Sequence, residues 1–485
     1  MSKPVLSCRN LSFRYQKEDV FRQISFAIQP GEAVLLMGPS GCGKSSLAYC
    51  LAGLYPAYAG NMSGEILLEG KPLEDYPLAR RARGVSILFQ NPDDQFCMDR
   101  VDHEILFALE NINYQGDLRA RTRELLALVG LEDVEHRLIL TLSGGMKQKL
   151  ALATALATEA KVLILDEPFA NLDPGSCADL SAKLAQLNRQ GLTLFIVDHR
   201  PDYWLPFLSR ILLMDKTGAL LPESVLPKEL QAHRELFRER GLFVDDSWLE
   251  GQTPMPLPQP EEFMVEAKDL RLLQGKTTVA EHLSFAFPRG GITALVGRNG
   301  SGKTTLLTCL AGAGRCKGSL KVNGAAGLVF QNPRFQFLSL TVEDEVLTTL
   351  RALEPKAEEQ ALRQKARALL EEFDLLNWRK HSPYELSQGQ QRRLALLAML
   401  AGNRPLLLLD EPTYAQDERA TQFIMELLRH RIDQGLTAVI ATHDLALARC
   451  FANRIYLLED GCMQLLRPEQ LDQYAKERSH ASCAL

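Results

Sequence analysis

Gly38-Pro39-Ser40-Gly41-Cys42-Gly43-Lys44-Ser45 follows the apolar run Ala33-Val34-Leu35-Leu36-Met37 and precedes the helical pattern Leu47-Ala48-Tyr49-Cys50-Leu51-Ala52. A strand, a glycine loop and a helix in that order form the context in which such a loop cradles phosphate. The glycines let backbone N–H groups curl around phosphate oxygens, and the helix N-terminus adds the positive end of its dipole. Gly38, Gly41 and Gly43 shape the loop, Lys44 is placed for the β and γ phosphates, Ser45 for Mg2+, and Ser46 joins the phosphate-binding set. The stretch predicts an α/β domain of the P-loop NTPase type.

The same arrangement returns downstream. Gly297-Arg298-Asn299-Gly300-Ser301-Gly302-Lys303-Thr304 follows Ile292-Thr293-Ala294-Leu295-Val296, so Gly297, Gly300, Gly302, Lys303, Thr304 and Thr305 repeat the first set. Adding 259 to positions 10–46 lands on the second copy without a gap. The period far exceeds the roughly 20–50 residues of a solenoid unit, so each copy is a domain with its own core. The expected division is 1–240 and 263–485, joined by 241–262 with its Pro-rich run Thr253-Pro254-Met255-Pro256-Leu257-Pro258-Gln259-Pro260, which reads as an extended spacer.

Composition is that of an ordinary globular protein, with 46% hydrophobic and 24% charged residues among 485 and a formal net charge of −5. This balance gives no electrostatic reason to expect nucleic acid as a partner. The ten cysteines form no CxxC pair or His/Cys cluster, which argues against a zinc site or a disulfide framework and for reduced thiols in the cytosol. No signal segment stands before Pro4-Val5-Leu6, and nothing reaches the roughly 18 uninterrupted apolar residues of a membrane span. The richest stretch, 394–409, is broken by Gly402-Asn403-Arg404-Pro405 and reads as a buried helix followed by a buried strand.

Two further apolar runs end in paired carboxylates, Val162-Leu163-Ile164-Leu165-Asp166-Glu167-Pro168 and Leu406-Leu407-Leu408-Leu409-Asp410-Glu411-Pro412. Such runs suit central parallel strands with a site at their C-terminal ends. Alone, a carboxylate pair there is an ordinary solvated terminus. After a phosphate loop it reads as a hydrolysis site, with Asp166 and Asp410 toward Mg2+ and Glu167 and Glu411 toward the attacking water.

Leu142-Ser143-Gly144-Gly145 and Leu386-Ser387-Gln388-Gly389-Gln390 precede these pairs at matching distances. By itself each is a helix N-cap with a flexible lead. In this spacing they resemble the signature motif of ATP-binding cassette (ABC) ATPases. The chain also carries Gln90 and Gln331 in repeated Phe-Gln-Asn-Pro segments, Asp173 and Asp417 after the carboxylate pairs, and His199 and His443 after strand-like runs. Asp166 to Asp410 and His199 to His443 are both separations of 244.

The resemblance spans nearly the whole chain. It implies two cassettes, each with a mainly parallel sheet core, an antiparallel β subdomain and a small helical subdomain, the last from the stretch of about fifty residues between each glutamine and its signature. It further implies ATP and Mg2+ as cofactors, hydrolysis as the activity, and head-to-tail pairing. One ATP would be held by Lys44, Ser45, Gln90, Asp166, Glu167 and His199 with Ser387 and Gly389. The other would be held by Lys303, Thr304, Gln331, Asp410, Glu411 and His443 with Ser143, Gly144 and Gly145. Gln90 and Gln331 join Ser45, Asp166, Thr304 and Asp410 as the Mg2+ set.

The halves also differ. Tyr15 matches the aromatic that stacks on adenine in many cassettes, whereas the register places Gln274 there in the second half. The signature paired with the first site is the imperfect one, Gln388 replacing a glycine. Tighter ATP binding at the first site and faster turnover at the second are the resulting expectations. An excess of 18 residues between phosphate loop and glutamine, including Tyr55-Pro56-Ala57-Tyr58-Ala59-Gly60, is expected to lengthen a surface hairpin in the first half. Cys42, near Lys44 at a helix N-terminus, stands where a thiolate would be favoured, although a small side chain is all the loop needs.

Three tandem-cassette classes compete. A ribosome-remodelling ABC-F type would carry a basic linker, but residues 216–262 hold five Lys/Arg against nine Asp/Glu. Tandem sugar-importer ATPases usually have a degraded second site, whereas Lys303, Thr304, Asp410 and Glu411 are intact. Phe89-Gln90-Asn91-Pro92-Asp93-Asp94-Gln95-Phe96 and Phe330-Gln331-Asn332-Pro333-Arg334-Phe335-Gln336-Phe337 resemble the energy-coupling factor (ECF) type of vitamin and metal importers. That resemblance implies a peripheral ATPase on the cytoplasmic face of the cell membrane. Its partners would be a transmembrane T-like coupling subunit and a small substrate-binding membrane protein. An ATPase serving regulation instead is the remaining alternative.

Overall fold

The computed structural model describes residues 3–481 apart from 16–17, 170–171, 259–261, 276, 403 and 414–415. Gln259, Pro260 and Asn403 therefore lie outside the described residues. The chain divides into two compact units, Met1–Asp245 and Asp246–Leu485.

In chain order the first unit contains β1 (Leu6–Tyr15), β2 (Glu18–Ile28), β3 (Ala33–Met37), α1 (Lys44–Leu51), β4 (Asn61–Leu68), β5 (Lys71–Pro72), α2 (Leu78–Gly84) and β6 (Val85–Leu88). It continues with α3 (Val101–Asn111), α4 (Leu118–Val129), α5 (Gly144–Ala157), β7 (Val162–Asp166), α6 (Pro174–Arg189), β8 (Thr193–Val197), β9 (Arg210–Leu213) and α7 (Arg234–Glu239). Strands β6-β7-β8-β3-β9 form one parallel sheet. β3, β7 and β8 are buried at every residue, which is why they read as unbroken apolar runs. A second, antiparallel sheet runs β2-β1-β4-β5, and α3 and α4 form the helical part.

The second unit repeats this plan with β10 (Phe263–Gln274), β11 (Thr277–Pro288), β12 (Ile292–Val296), α8 (Lys303–Leu310), β13 (Arg315–Val322), β14 (Ala326–Val329), α9 (Val342–Leu353), α10 (Glu359–Glu372) and α11 (Gln388–Leu400). Then follow β15 (Leu406–Asp410), α12 (Glu418–Asp433), β16 (Thr437–Ala441), α13 (Leu445–Phe451), β17 (Arg454–Glu459), β18 (Cys462–Leu466) and α14 (Pro468–Ala481). Its larger sheet is β14-β15-β16-β12-β17-β18, parallel except for β18, and its antiparallel sheet is β11-β10-β13. The 394–409 stretch is the buried helix and strand its pattern predicts.

The extra residues of the first unit do more than lengthen a hairpin. Part of the insertion is the loop between Leu51 and Asn61, where Tyr55 stacks on Phe13 at 5.1 Å. The larger part is β5, a 3-10 turn at Leu73–Asp75 and α2, between Leu68 and Val85, where the second unit passes directly from Val322 to Ala326. Leu73 is buried, so the insertion contributes to the core.

The Pro-rich segment has no helix or strand from 252 to 258 but is tied to the second unit. Arg429 donates to Gln252 Oε1 and to the Thr253 carbonyl, and its guanidinium lies 4.4 Å from the Phe451 ring centroid. Asn453 donates to the Met255 carbonyl, and Trp248 packs near Phe451. Upstream, Leu242, Phe243 and Val244 are buried in the first unit, with Arg200 over the Phe243 ring.

Candidate functional site

Parallel strands place their C-terminal ends together, and three of them bring the sequence motifs to one edge in each unit. β8 lies between β7 and β3, with Asp166 opposite Val197 and Val197 opposite Leu36. The phosphate loop after β3, the carboxylate pair ending β7 and His199 after β8 therefore converge.

In the first unit Gly43, at φ 102°, starts α1 in the left-handed region, and a Cβ there would meet Val20 Cγ1 at 2.7 Å. Lys44 Nζ donates to the carbonyls of Gly38 at 2.7 Å and Pro39 at 3.0 Å, folding the loop over its own side chain. Ser45 Oγ donates to Asp166 Oδ1 at 3.2 Å, while Asp166 Oδ2 is buried without a partner among the described residues. Burial, with the adjacent Glu167 charge, pushes the Asp166 carboxyl up to about 7. A buried carboxylate oxygen without a donor, next to a hydroxyl and a lysine, suits a hard divalent cation with a phosphate.

Glu167 sits at φ 49°, in the left-handed region, its N–H held by the Val197 carbonyl at 2.9 Å. Such a conformation costs of order 1 kcal/mol and persists where surrounding bonds enforce it. Gln90 Nε2 donates to Glu167 Oε2 at 2.7 Å, and His199 Nε2 meets Glu167 Oε1 at 3.0 Å. Burial opposes ionisation of Glu167, yet the His199 charge and these hydrogen bonds hold its carboxyl below the ordinary value. Tyr15 is partly exposed at the end of β1; its hydroxyl donates to Tyr55 Oη at 3.1 Å and lies 3.3 Å from Ser46 Oγ.

The second unit builds the same edge with different details. Lys303 Nζ donates to the Gly297 and Arg298 carbonyls at 2.8 and 3.0 Å, and Thr304 Oγ1 to Asp410 Oδ2 at 2.7 Å. Burial and Glu411 raise Asp410 to about 6. Glu411, at φ 50°, pairs with His443 through Nδ1 at 3.0 Å, whereas His199 uses Nε2. Burial opposes both charges of that pair, but their mutual attraction lowers Glu411 and raises His443. Gln274 occupies the strand-end position of Tyr15, opposite Thr277 as Tyr15 is opposite Glu18.

The signature residues start helices. Ser143 Oγ accepts from Met146 N at 3.4 Å ahead of Gly144 and Gly145, and Ser387 forms a capping box with Gln390 before the buried Gly389. The expectation for Cys42 is corrected: the thiol is buried, and burial outweighs Lys44 and raises its pKa, so the thiolate is disfavoured.

Several residues escaped the sequence reading. Gln95 and Gln336 accept from Phe89 N and Phe330 N and donate to the Ala151 and Ala395 carbonyls, so they fold the loop after each glutamine. Glu104 and Glu345 clamp two backbone N–H groups at the far end of the same loops. Their recurrence at a constant offset was a usable signal. Trp204 Nε1 donates to Asp198 Oδ2 at 2.9 Å beside His199, a contact with no signature of its own.

A cavity of about 760 Å³ lies at the other ends of β7 and β8, lined in part by Leu156, Lys161, Leu187 and Thr193. Its place at the opposite strand ends separates it from the phosphate chemistry. In the second unit the equivalent space is about 200 Å³, where Arg404 and Arg431 stand for Ala160 and Leu187.

Comparison with known proteins agrees with this geometry. The profile of the ABC transporter family matches residues 21–170 and 280–414. The provisionally named HMP/thiamine import ATP-binding protein YkoD of Bacillus subtilis (strain 168) is 35% identical, covering 94% of this chain and 90% of its own. A provisionally named ABC transporter ATP-binding protein of Methanosarcina acetivorans is 31% identical over 95% and 85%. Among solved structures, "RNase-L Inhibitor" superposes with a TM-score of 0.65 at 20% identity, covering 97% of this chain and 93% of that one. At that identity the likeness shows the fold alone.

Proposed function

The chain belongs to the ABC transporter family and is an ATPase, and from that premise we propose that it powers an ECF-type importer of a vitamin, metal ion or similar micronutrient. The observation that carries the reading is a pair of intact phosphate-loop and carboxylate edges, with apolar side chains presented to solvent by the glutamine loop in the second unit and by the 3-10 turn Ile139–Thr141, ahead of the signature, in the first. Phe335, Leu338 and Leu340 are 79%, 83% and 88% exposed in the second unit, and Leu140 is 88% exposed in the first. Exposed apolar clusters of this kind mark interaction surfaces. Helices of a T-like membrane subunit would dock there, at the cytoplasmic face, with a separate small membrane protein binding the substrate. No described helix is long and apolar enough to cross a membrane. The name of the Bacillus relative makes HMP or thiamine the first substrates to test.

In this reading ATP joins the units head to tail. Ser387 and Gly389 would complete the first site, and Ser143, Gly144 and Gly145 the second. Lys44 and Lys303 would hold the terminal phosphates, and Ser45 with Asp166 and Thr304 with Asp410, aided by Gln90 and Gln331, would hold Mg2+. The cation, when bound, offsets phosphate charge. Glu167 and Glu411 are kept ionised. Each can take a proton from the attacking water as its oxygen bonds to the γ-phosphorus and the bond to the ADP oxygen breaks. His199 and His443 orient these carboxylates.

Tyr15→Ala is expected to weaken ATP binding at the first site about tenfold, since base stacking is worth roughly 1–3 kcal/mol. Tyr15→Phe keeps most of the affinity. Titration of a fluorescent ATP analogue in a Lys303→Ala background reads this, and equal affinity in Tyr15→Ala would reject the stacking role. For the docking surface, Phe335→Asp with Leu338→Asp, and separately Asp94→Arg or Arg334→Glu, are expected to abolish uptake while basal ATPase persists. Unchanged uptake would refute docking there.

The deciding experiment is affinity purification of the chain from mildly solubilised cells of its source, with partners identified by mass spectrometry. A T-like integral membrane protein with a small membrane companion supports the importer. Ribosomal proteins without membrane partners would overturn it.

A further inference from the structure

We propose that Arg392 is a positioning residue that ties the glutamine loop of the second cassette to the strand end bearing Glu411, through a strut that has no counterpart among the described residues of the first cassette. The inference rests on the reading of Glu411 and Gln331 as hydrolytic residues. Arg392 lies on α11, five residues after the signature serine, and is only 5% exposed. Its Nη1 donates to the backbone carbonyl of Glu411, and its Nη2 donates to the backbone carbonyl of Gln331 at 2.6 Å. One rigid planar group thus spans the loop and the strand end.

The two backbones joined are those whose placement sets the site. Glu411 is in the left-handed region, so its carboxylate direction depends on how the adjoining peptide is held. A guanidinium fork binds two acceptors with one pre-organised group, which a lysine ammonium on a flexible stem does not reproduce. Arg334 Nε also contacts Gln391 at 3.4 Å, placing this part of the loop against α11.

The first cassette is an internal control. The 244-residue register puts Gln148 opposite Arg392. Gln148 is 0% exposed, and neither its Oε1 nor its Nε2 has a partner among the described residues. It is shorter than arginine and has no fork. The loop there is fastened to α5 by Gln95 on the Ala151 carbonyl, a bond that Gln336 and Ala395 repeat in the second cassette, and by the Lys147–Asp93 ion pair at 2.6 Å with Asp93 half exposed, a surface pair that contributes little. Gln90 itself reaches the Glu167 carboxylate. A displacement of the Gln331 backbone is therefore carried through the Arg392 guanidinium to the Glu411 backbone in the second cassette, whereas among the described residues of the first the link runs from the Gln90 side chain to the Glu167 carboxylate.

The test uses the full chain and ATP, with Glu167→Gln isolating the second site and Glu411→Gln the first. Arg392→Gln in the Glu167→Gln background is expected to lower kcat about tenfold or more and, through the lost hydrogen bonds, the thermal midpoint by several degrees, while KM for ATP stays unchanged. Arg392→Lys should not restore kcat. Gln148→Arg in the Glu411→Gln background should raise kcat several-fold. Wild-type kcat in Arg392→Lys, or a loss in Arg392→Gln confined to KM and thermal stability, overturns the proposal. If Arg392→Gln does not fold, Gln148→Arg decides, and an unchanged kcat there overturns it. Wild-type hydrolysis in the Glu167→Gln, Glu411→Gln double variant would instead refute the assignment of the glutamates.

Discussion

Glu411→Gln is expected to remove most of the ATP hydrolysis of this chain, about tenfold or more overall, and to cost more than Glu167→Gln. Both carboxylates are buried and held ionised by a histidine. Glutamine keeps the shape of the side chain but cannot accept the proton of the attacking water, a contribution of roughly 10²–10⁴-fold at the affected site. The rate that remains is the turnover of the other site. The second site is expected to dominate because Arg392 fixes the Glu411 backbone and because the resemblance pairs this site with the unmodified Ser143-Gly144-Gly145 signature. Steady-state phosphate release from the two single variants at saturating ATP gives the order. A greater loss from Glu167→Gln would show that the first site carries the flux.

Trp204→Ala is expected to destabilise the first unit by about 3–5 kcal/mol, the usual cost of deleting a fully buried large aromatic. Trp204 is wholly buried, stacks on Phe169 at 4.3 Å and donates to Asp198 Oδ2 at 2.9 Å. The other Asp198 oxygen accepts from His199 N at 2.7 Å and Arg200 N at 3.3 Å. Burial, the largest influence on Asp198, pushes its carboxyl up to about 6. Removing the indole therefore leaves a cavity and an under-satisfied acid beside the site histidine. For a unit of this size the thermal transition should fall by on the order of 10 °C. Trp204→Phe, which keeps most of the packing, should cost about 1–3 kcal/mol for the lost hydrogen bond. Scanning calorimetry of the full chain reads both variants. A drop of less than about 2 °C in Trp204→Ala would sink the argument, since that is under 1 kcal/mol.

Much of the site was legible because its residues lie in contiguous motifs. Gly38–Ser45 and Asp166–Glu167 are each a few residues at one strand end, and the parallel sheet was implied by wholly apolar runs such as Val162–Leu165. The repeat then checked each motif against its twin. The post-glutamine segments were legible only in part. Their recurrence stands in the sequence, but that Gln95 and Gln336 fold the loop by accepting from Phe89 N and Phe330 N is visible only in the structure. The insertion was located correctly and its form was not, because Leu73 enters the core, and core membership depends on distant chain.

By itself the sequence determined the duplicated α/β architecture, the two phosphate loops and the carboxylates beside them, since local periodicity and short-range spacing specify each. Only the tertiary structure decided that Arg392 grips the Glu411 and Gln331 carbonyls, that His199 and His443 use different ring nitrogens, that Cys42 is held as a thiol and that the Pro-rich segment is fastened by Arg429 and Asn453. Those outcomes depend on burial and on hydrogen bonds between residues far apart in the chain, and such distances are fixed when the sheets and helices pack.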